Sequence, residues 1–285
     1  MDFSKETIAA EIMQLAKFSE QDSDINVLKT VFNLIDLTSL NTSDFDDKIK
    51  AMVEKVNRFN EHYSDCPNVA AICVYPNFVN TVKQNLTAKG VKIAAVSAGF
   101  PSSQTFLAIK LAETSLAVEK GADDIDIVMS VGKFLNKEYQ DVANEIALIK
   151  SSCGKSHLKV ILETGALPNE ESIYNASMLS MEAGADFIKT STGKQEPAAT
   201  YEAVYTMVHA IKDYFNKTGR MVGIKPAGGI VTVKQSLVYY SIVKNILGDK
   251  WLNNHYFRIG ASRLANNLLT RMNELNGIKE EAKYF

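Results

Sequence analysis

The sequence predicts an α/β fold, a (β/α)8 or TIM barrel with an extra N-terminal helix, on three observations. Short runs rich in β-branched residues alternate with longer segments of helical period, as in a parallel sheet with right-handed crossovers. Eight such runs occur, which favours a closed ring over an open sheet. No Gly-x-Gly-x-x-Gly turn is present, so a doubly wound dinucleotide fold lacks its fingerprint. A length of 285 residues suits one barrel, which usually takes about 250.

In chain order, strands are expected at 33–37, 69–75, 93–97, 124–129, 157–164, 187–191, 221–225 and 257–260. Helices are expected at 78–88, 103–120, 139–150, 170–183, 198–216, 233–247 and 262–276, following the second to the eighth strand. Gly90, Gly121 and Gly184 stand between a helical run and the next strand, where a left-handed cap belongs. The near-copies Glu-Lys-Gly-Ala-Asp (119–123) and Glu-Ala-Gly-Ala-Asp (182–186) reuse one αβ connection. Residues 1–28 are expected to form a helical extension on the barrel's bottom or side, and 277–285 a charged, partly mobile tail, all within one domain.

Composition excludes several classes. With 46% hydrophobic and 22% charged residues a large core is available. The net charge is −2 and the 31 Lys and Arg residues are scattered, which speaks against nucleic acid or an anionic membrane as partner. Three cysteines, Cys66, Cys73 and Cys153, form neither a Cys-x-x-Cys pair nor a His/Cys cluster. His62, His157, His209 and His255 sit in no metal-ligand spacing, so no metal is expected. The N-terminus lacks the pattern of a signal peptide, and no apolar stretch approaches the ~20 residues of a membrane span. The cytosol is the expected compartment.

Strand parity locates the chemistry. Side chains alternate along a strand, and the active mouth of such a barrel lies at the strands' C-terminal ends. In Phe187-Ile188-Lys189 the isoleucine is a natural helix-facing residue, which turns Lys189 inward. The same logic turns Lys225 inward beside Ile224, and Asp124 and Asp126 inward beside Ile125 and Ile127. Adjacent strands lie about 4.8 Å apart, so the two inward ammonium groups repel. A free lysine has a pKa of ~10.4 and is almost wholly charged at pH 7. Burial and a neighbouring cation both favour the neutral, nucleophilic amine. One lysine then serves as nucleophile, the other stays charged, and Asp126 handles protons. A single inward lysine reads rather as half of a structural ion pair; two with Asp126 at the active mouth read as chemistry.

A phosphate site is expected beside them. Lys225-Pro-Ala-Gly228-Gly229 ends the seventh strand, and Gly260-Ala-Ser262 ends the eighth and opens a helix. Loops at these positions bind phosphate through backbone N–H groups and a helix N-terminus. Thr192-Gly193-Lys194, after the sixth strand, adds an amide and a cation, and Arg263 either adds charge or is simply solvated. Asp36 and Thr38 share a face of the first strand, where Asp36 would bond a ligand hydroxyl or brace a lysine. Cys73 reads as a packed thiol near the site. Lys159 and Glu163 share the inward parity of the fifth strand and are expected to pair with each other.

At these residues the chain closely resembles the deoxyribose-phosphate aldolases. The motifs are Ile35-Asp-Leu-Thr-Ser-Leu, Ala71-Ile-Cys-Val-Tyr-Pro, Gly121-Ala-Asp-Asp-Ile-Asp and Leu158-Lys-Val-Ile-Leu-Glu-Thr-Gly. They continue with Gly184-Ala-Asp-Phe-Ile-Lys-Thr-Ser-Thr-Gly-Lys, Gly223-Ile-Lys-Pro-Ala-Gly-Gly and Arg258-Ile-Gly-Ala-Ser. The resemblance implies a Schiff base on Lys189, with Lys225 perturbing that amine and Asp126 moving protons. It implies reversible cleavage of 2-deoxy-D-ribose 5-phosphate to glyceraldehyde 3-phosphate and acetaldehyde, without metal or organic cofactor; separately, barrels of this kind often self-associate, and a homo-oligomer, a dimer, is the expected assembly. Gly193, Lys194, Gly228, Gly229, Gly260 and Ser262 fall at its phosphate positions. Three departures stand out. Arg263 replaces the family's frequent second serine, the third strand ends Ser97-Ala-Gly-Phe-Pro, and the C-terminal tyrosine that some members use as a proton shuttle is next to last, as Tyr284. Another Schiff-base aldolase or phosphosugar isomerase on the same barrel is the alternative reading, and a non-catalytic phosphosugar-binding protein a third.

Overall fold

The computed structural model describes residues 4–21 and 24–285. Eight parallel strands form the barrel: β1 (Ile35–Thr38), β2 (Ala71–Val74), β3 (Lys92–Ser97), β4 (Asp124–Val128), β5 (His157–Ile161), β6 (Phe187–Lys189), β7 (Gly223–Lys225) and β8 (Ile259–Ala261). β1 to β7 pair in sequence order, β8 pairs with β1, and parallel bridges Ile224 to Phe257 and Ala227 to Gly260 complete the ring between β7 and β8. Every expected strand is present, several of them shorter than expected.

The helices are α1 (Lys5–Gln21), α2 (Ile25–Asn33), α3 (Asp46–His62), α4 (Val79–Asn85), α5 (Leu107–Glu119) and α6 (Val131–Leu135). They continue with α7 (Tyr139–Ser152), α8 (Glu170–Glu182), α9 (Tyr201–Thr218), α10 (Val233–Leu247) and α11 (Arg263–Leu275). Two were not expected. α3 buries Ile49, Val53, Val56 and Phe59 at helical spacing, although its other face is dense in charge. α6 is a five-residue helix between β4 and α7. The N-terminal extension is two helices rather than one. Asp24 accepts hydrogen bonds from the backbone N–H groups of Asn26 and Val27, and this cap starts α2, which runs through Asn33 into the expected first strand. α1 packs on the barrel's side against α9 and α10, with Ile8, Ile12 and Leu15 buried.

The C-terminal tail is pinned to the barrel. The Asn266 side chain accepts from the backbone N–H groups of Tyr284 and Phe285 and donates to the Phe285 carbonyl at 2.7 Å, while the Phe285 ring stacks on Phe59.

Strand parity divides the interior in two. Ile72, Ile93, Ile125, Ile127, Leu158, Val160, Ile188, Ile224 and Ile259 join the large core under the helices. Inside the ring, Ala71, Cys73, Ala94 and Val96 form a small apolar cluster with Leu40 on the β2–β3 side. The rest of the interior holds Asp36, Asp124, Asp126, Lys159, Lys189, Lys225 and Arg258, all buried. So many sealed charges are tolerated only when closely paired.

Candidate active site

A pocket of about 230 Å³ opens at the C-terminal ends of the strands. Lys189, Thr38, Leu40, Asn41 and three small-residue loops line it, and Lys189 stands at its floor as the last residue of β6. The loops hold Thr192, Gly193 and Lys194 after β6, Gly228 and Gly229 after β7, and Gly260, Ser262 and Arg263 at β8 and the start of α11. A larger cavity, about 710 Å³, lies over α5 and α7 away from the lysine, so size alone does not mark the site.

Two close approaches require glycine. A Cβ on Gly228 would stand 2.7 Å from Ala198 Cβ and 3.0 Å from Gly193 Cα, and the residue has φ +91°. A Cβ on Gly260 would stand 2.7 Å from Ala227 Cβ and 3.3 Å from Lys225 Cε. Thr190 ties the loops together: its hydroxyl donates to the Ala227 carbonyl at 3.1 Å and accepts from the Ala227 N–H at 3.0 Å. Glu163, in the left-handed region at φ 51°, accepts from the Thr192 N–H and hydroxyl at 3.1 and 2.6 Å and so fixes the β6 loop.

Beneath the pocket the β6–β7 register sets Lys189 opposite Lys225. Both donate to the same oxygen of Asp126, each at 2.8 Å. Lys225 also lies 2.5 Å from Asp36 Oδ2, whereas Asp126 is the carboxylate that Lys189 touches among the described residues. Asp126 Oδ1 takes no hydrogen bond and lies 3.5 Å from the Lys159 ammonium.

The protonation preferences follow from this asymmetry. Burial pushes the Lys189 amine down, Asp126 opposes that shift, and Lys225 reinforces it, leaving the pKa below the ordinary lysine value. Burial also acts on Lys225, but Asp126 and Asp36 together outweigh it and raise its pKa. Burial works against the charge of Asp126 as well, yet Lys189, Lys225 and Lys159 hold it well below the carboxylate range. The structure thus separates a lysine biased toward the neutral amine from one held charged.

Most of the expected residues meet here. Lys189, Thr38, Thr192, Gly193, Lys194, Gly228, Gly229, Gly260, Ser262 and Arg263 line the pocket, and Lys225, Asp126 and Asp36 lie directly under it. Lys194 is drawn across the mouth, its ammonium donating to the Leu40 carbonyl at 2.5 Å. Cys73 is a packed thiol whose pKa burial raises. Tyr284 stands apart: its hydroxyl donates to the Lys55 carbonyl at 2.7 Å and its ring packs on Phe59 and Tyr63.

The expected Lys159–Glu163 pair does not form. Lys159 reaches Asp124 at 2.6 Å, and Glu163, past the strand's end, turns to Thr192. Parity along the strand missed that reversal. Arg258, bound to Asp36 at 2.6 Å and Asp124 at 3.2 Å, was not singled out, although its parity with Gly260 places it inside the ring. Among the described residues no group of three or more His, Cys, Asp or Glu side chains is arranged to hold a metal ion.

Comparison with known proteins shows the family. The profile of the DeoC/LacD family aldolases matches residues 30–245. The human deoxyribose-phosphate aldolase is 40% identical over 270 residues, covering 91% of this chain and 85% of the human protein. The Bos taurus deoxyribose-phosphate aldolase is 43% identical over 249 residues, covering 84% of this chain and 78% of its own. Among solved structures, the aldolase QR15 is 28% identical with a TM-score of 0.70, covering 86% of this chain and 98% of its own. At 21% identity the tetrameric deoxyribose phosphate aldolase from Aeropyrum pernix shares the fold, with a TM-score of 0.69 over 92% of this chain and 97% of its own.

Proposed function

Because the chain belongs to the DeoC/LacD aldolase family, we propose that it is a class I aldolase, a lyase that reversibly cleaves 2-deoxy-D-ribose 5-phosphate through a Schiff base on Lys189. One observation carries the reading: Lys189 faces the pocket with its amine biased toward neutrality, while Lys225 behind it is held charged by two carboxylates.

In this reading the Lys189 amine attacks C1 of the open-chain sugar, and loss of water leaves an iminium. The C3 hydroxyl gives up a proton, the C2–C3 bond breaks, and its electron pair flows into the iminium to form an enamine. Glyceraldehyde 3-phosphate leaves; protonation at C2 and hydrolysis then release acetaldehyde and restore the amine. Asp126, with Oδ1 free of hydrogen bonds, is suited to shuttle these protons, and Lys225 holds that carboxylate ionised between turns. Asp36 braces Lys225, Thr38 lines the pocket near the reacting carbon, and Cys73 packs beneath it next to the lysine pair. Phosphate is received by Gly193, Gly228, Gly229, Gly260 and Ser262 at the N-terminus of α11, with Lys194 and Arg263 as cations at the rim. The amine is the sole covalent group this chemistry needs, so no cofactor is required.

The test is reductive trapping. Acetaldehyde or deoxyribose 5-phosphate with borohydride should add mass at Lys189, and Lys189→Leu should abolish turnover in a folded protein. An adduct confined to Lys225 or Lys159, or normal turnover in Lys189→Leu, rejects the assignment. Release of acetaldehyde from a panel of phosphosugars separates this activity from that of an isomerase.

The same reading includes a homodimer in the cytosol. The exposed apolar residues Phe106, just before α5, and Ile109 and Leu116 on it support self-association, and three buried, unbridged cysteines fit a reducing compartment. Light scattering should return about twice the 31.4 kDa chain mass; a monomer at micromolar concentration sets the dimer aside.

A further inference from the structure

The charges under the pocket form one connected set. Lys159 touches three carboxylates, Asp124 at 2.6 Å, Asp126 at 3.5 Å and Asp36 at 3.6 Å. Among the described residues, Lys225 touches Asp36 and Asp126, Arg258 touches Asp36 and Asp124, and Lys189 touches Asp126 alone. Four cations therefore share three carboxylates, and the cation with a single partner is the one that faces the pocket. Phe187 fixes two of the others in place, with Lys159 at 5.5 Å and Arg258 at 5.9 Å from its ring centroid.

We infer that Lys159, Arg258, Asp124 and Asp36 are positioning residues whose charge count selects Lys189 as the neutral amine, because three carboxylates balance three cations and leave the fourth without a counter-ion. The inference rests on the Schiff-base reading and adds residues that touch no substrate. Sealed from water, the set cannot hold an uncompensated charge cheaply. Neutralising Lys189 restores balance at the position with the fewest carboxylate contacts, whereas neutralising Lys159 would strip a partner from three carboxylates at once.

The remaining charged and titratable groups around the set do not alter the count. Lys92 on β3 and His157 on β5 reach Asp124 from the bottom of the barrel at 3.9 and 3.1 Å, but their side chains are 27% and 38% exposed and water screens them. Cys73 on β2 is a buried thiol with a raised pKa and stays neutral. Glu163 spends its carboxylate on Thr192, and Lys194 donates to the Leu40 carbonyl.

The consequence is a pair of shifts of opposite sign. Lys159→Met leaves three cations for three carboxylates, so Lys189 keeps its proton to higher pH. Asp36→Asn removes a carboxylate, so Lys189 loses its proton at lower pH. The experiment follows the rate of Lys189 modification by acetaldehyde and cyanoborohydride, mapped by peptide mass, from pH 5.5 to 10. Acetaldehyde has no titrating group of its own in that range.

The midpoint in Lys159→Met should rise by about one pH unit or more, a tenfold or greater loss of rate on the acid side. Asp36→Asn should move it the other way, and Lys159→Arg, which keeps the charge, should stay near wild type. Midpoints that do not move, or that move together, overturn the inference, because loose packing lowers rates without shifting midpoints in opposite directions. If Lys159→Met fails to fold by circular dichroism, the direction of the Asp36→Asn shift decides. Absence of wild-type labelling at Lys189 rejects the Schiff-base reading itself and is distinct from either result.

Discussion

At the scale of the residue, Gly228 is where the backbone allows least freedom. It packs against Gly193 and Ala198 at a positive φ, so a methyl group meets both an unfavourable conformation and a collision. Such strain costs on the order of 1–3 kcal/mol and would be relieved by spreading the β6 and β7 loops. Gly228→Ala should therefore raise KM for the phosphorylated sugar about tenfold or more, while acetaldehyde still traps Lys189 near the wild-type rate. An unchanged KM would remove this loop from phosphate recognition. The sequence exposed these residues well, because parity and turn chemistry are local. Lys189, Lys225 and Asp126 follow from their isoleucine neighbours, and the glycine loops from their place after strands. Arg258 and the true partners of Lys159 depend on distances across the ring, and parity along one strand carries no such information.

At the scale of the element, the barrel was legible where the apolar period was strong and blurred where caps and turns decide. α10 spans the expected 233–247, fixed by the capping box of Thr232 and Gln235. α5 begins at Leu107 rather than 103 because Ser103 takes φ 58° in a turn ahead of the helix. α9 begins at Tyr201, where the Thr200 hydroxyl accepts from the Ala203 N–H, later than the expected 198. α3 went unseen for the opposite reason. Its buried stripe is regular, but Asp, Lys, Glu and Arg crowd the intervening positions, and its preceding residue, Phe45, offers no cap. The C-terminal tail shows the limit most plainly. A run of Lys and Glu reads as a solvated end, yet the Asn266 side chain anchors its last two residues from a helix nearby in space. That anchor holds the Tyr284 hydroxyl on the Lys55 carbonyl, away from the lysine pair.

At the scale of the whole molecule, the charged interior ties the fold's stability to pH. Burial alone would raise the pKa of Asp36, but Lys225, Arg258 and Lys159 overcome it and bring the value down to about 2. Asp124 and Asp126 are likewise held below the carboxylate range against burial, by the charge of Lys159 with a hydrogen bond from His157 and by Lys189 with Lys225 respectively. A carboxylate whose pKa is depressed on folding stabilises the native state above its unfolded value, near 4, and loses that contribution as pH falls toward the native value. For Asp36, whose pKa falls from the ordinary aspartate value to about 2, the contribution is on the order of 2–3 kcal/mol. On the alkaline side the two lysines act in successive pH windows and with opposite sign. Lys189, with a lowered pKa, gains native stability as pH rises toward the ordinary lysine range, while Lys225, with a raised one, loses stability above it. The urea midpoint should therefore rise from neutral pH toward pH 9 as the lowered Lys189 pKa takes effect, and fall steeply between pH 4 and 2, with little change in the denaturant slope. Asp36→Asn should lower the midpoint at neutral pH by leaving Lys225 and Arg258 short of a partner, and should flatten the acid limb because one titrating group has gone. A wild-type midpoint that stays constant from pH 5 to 2 would mean that the barrel's buried charges do not govern its acid stability, and the link between interior charge pairing and the fold would fail.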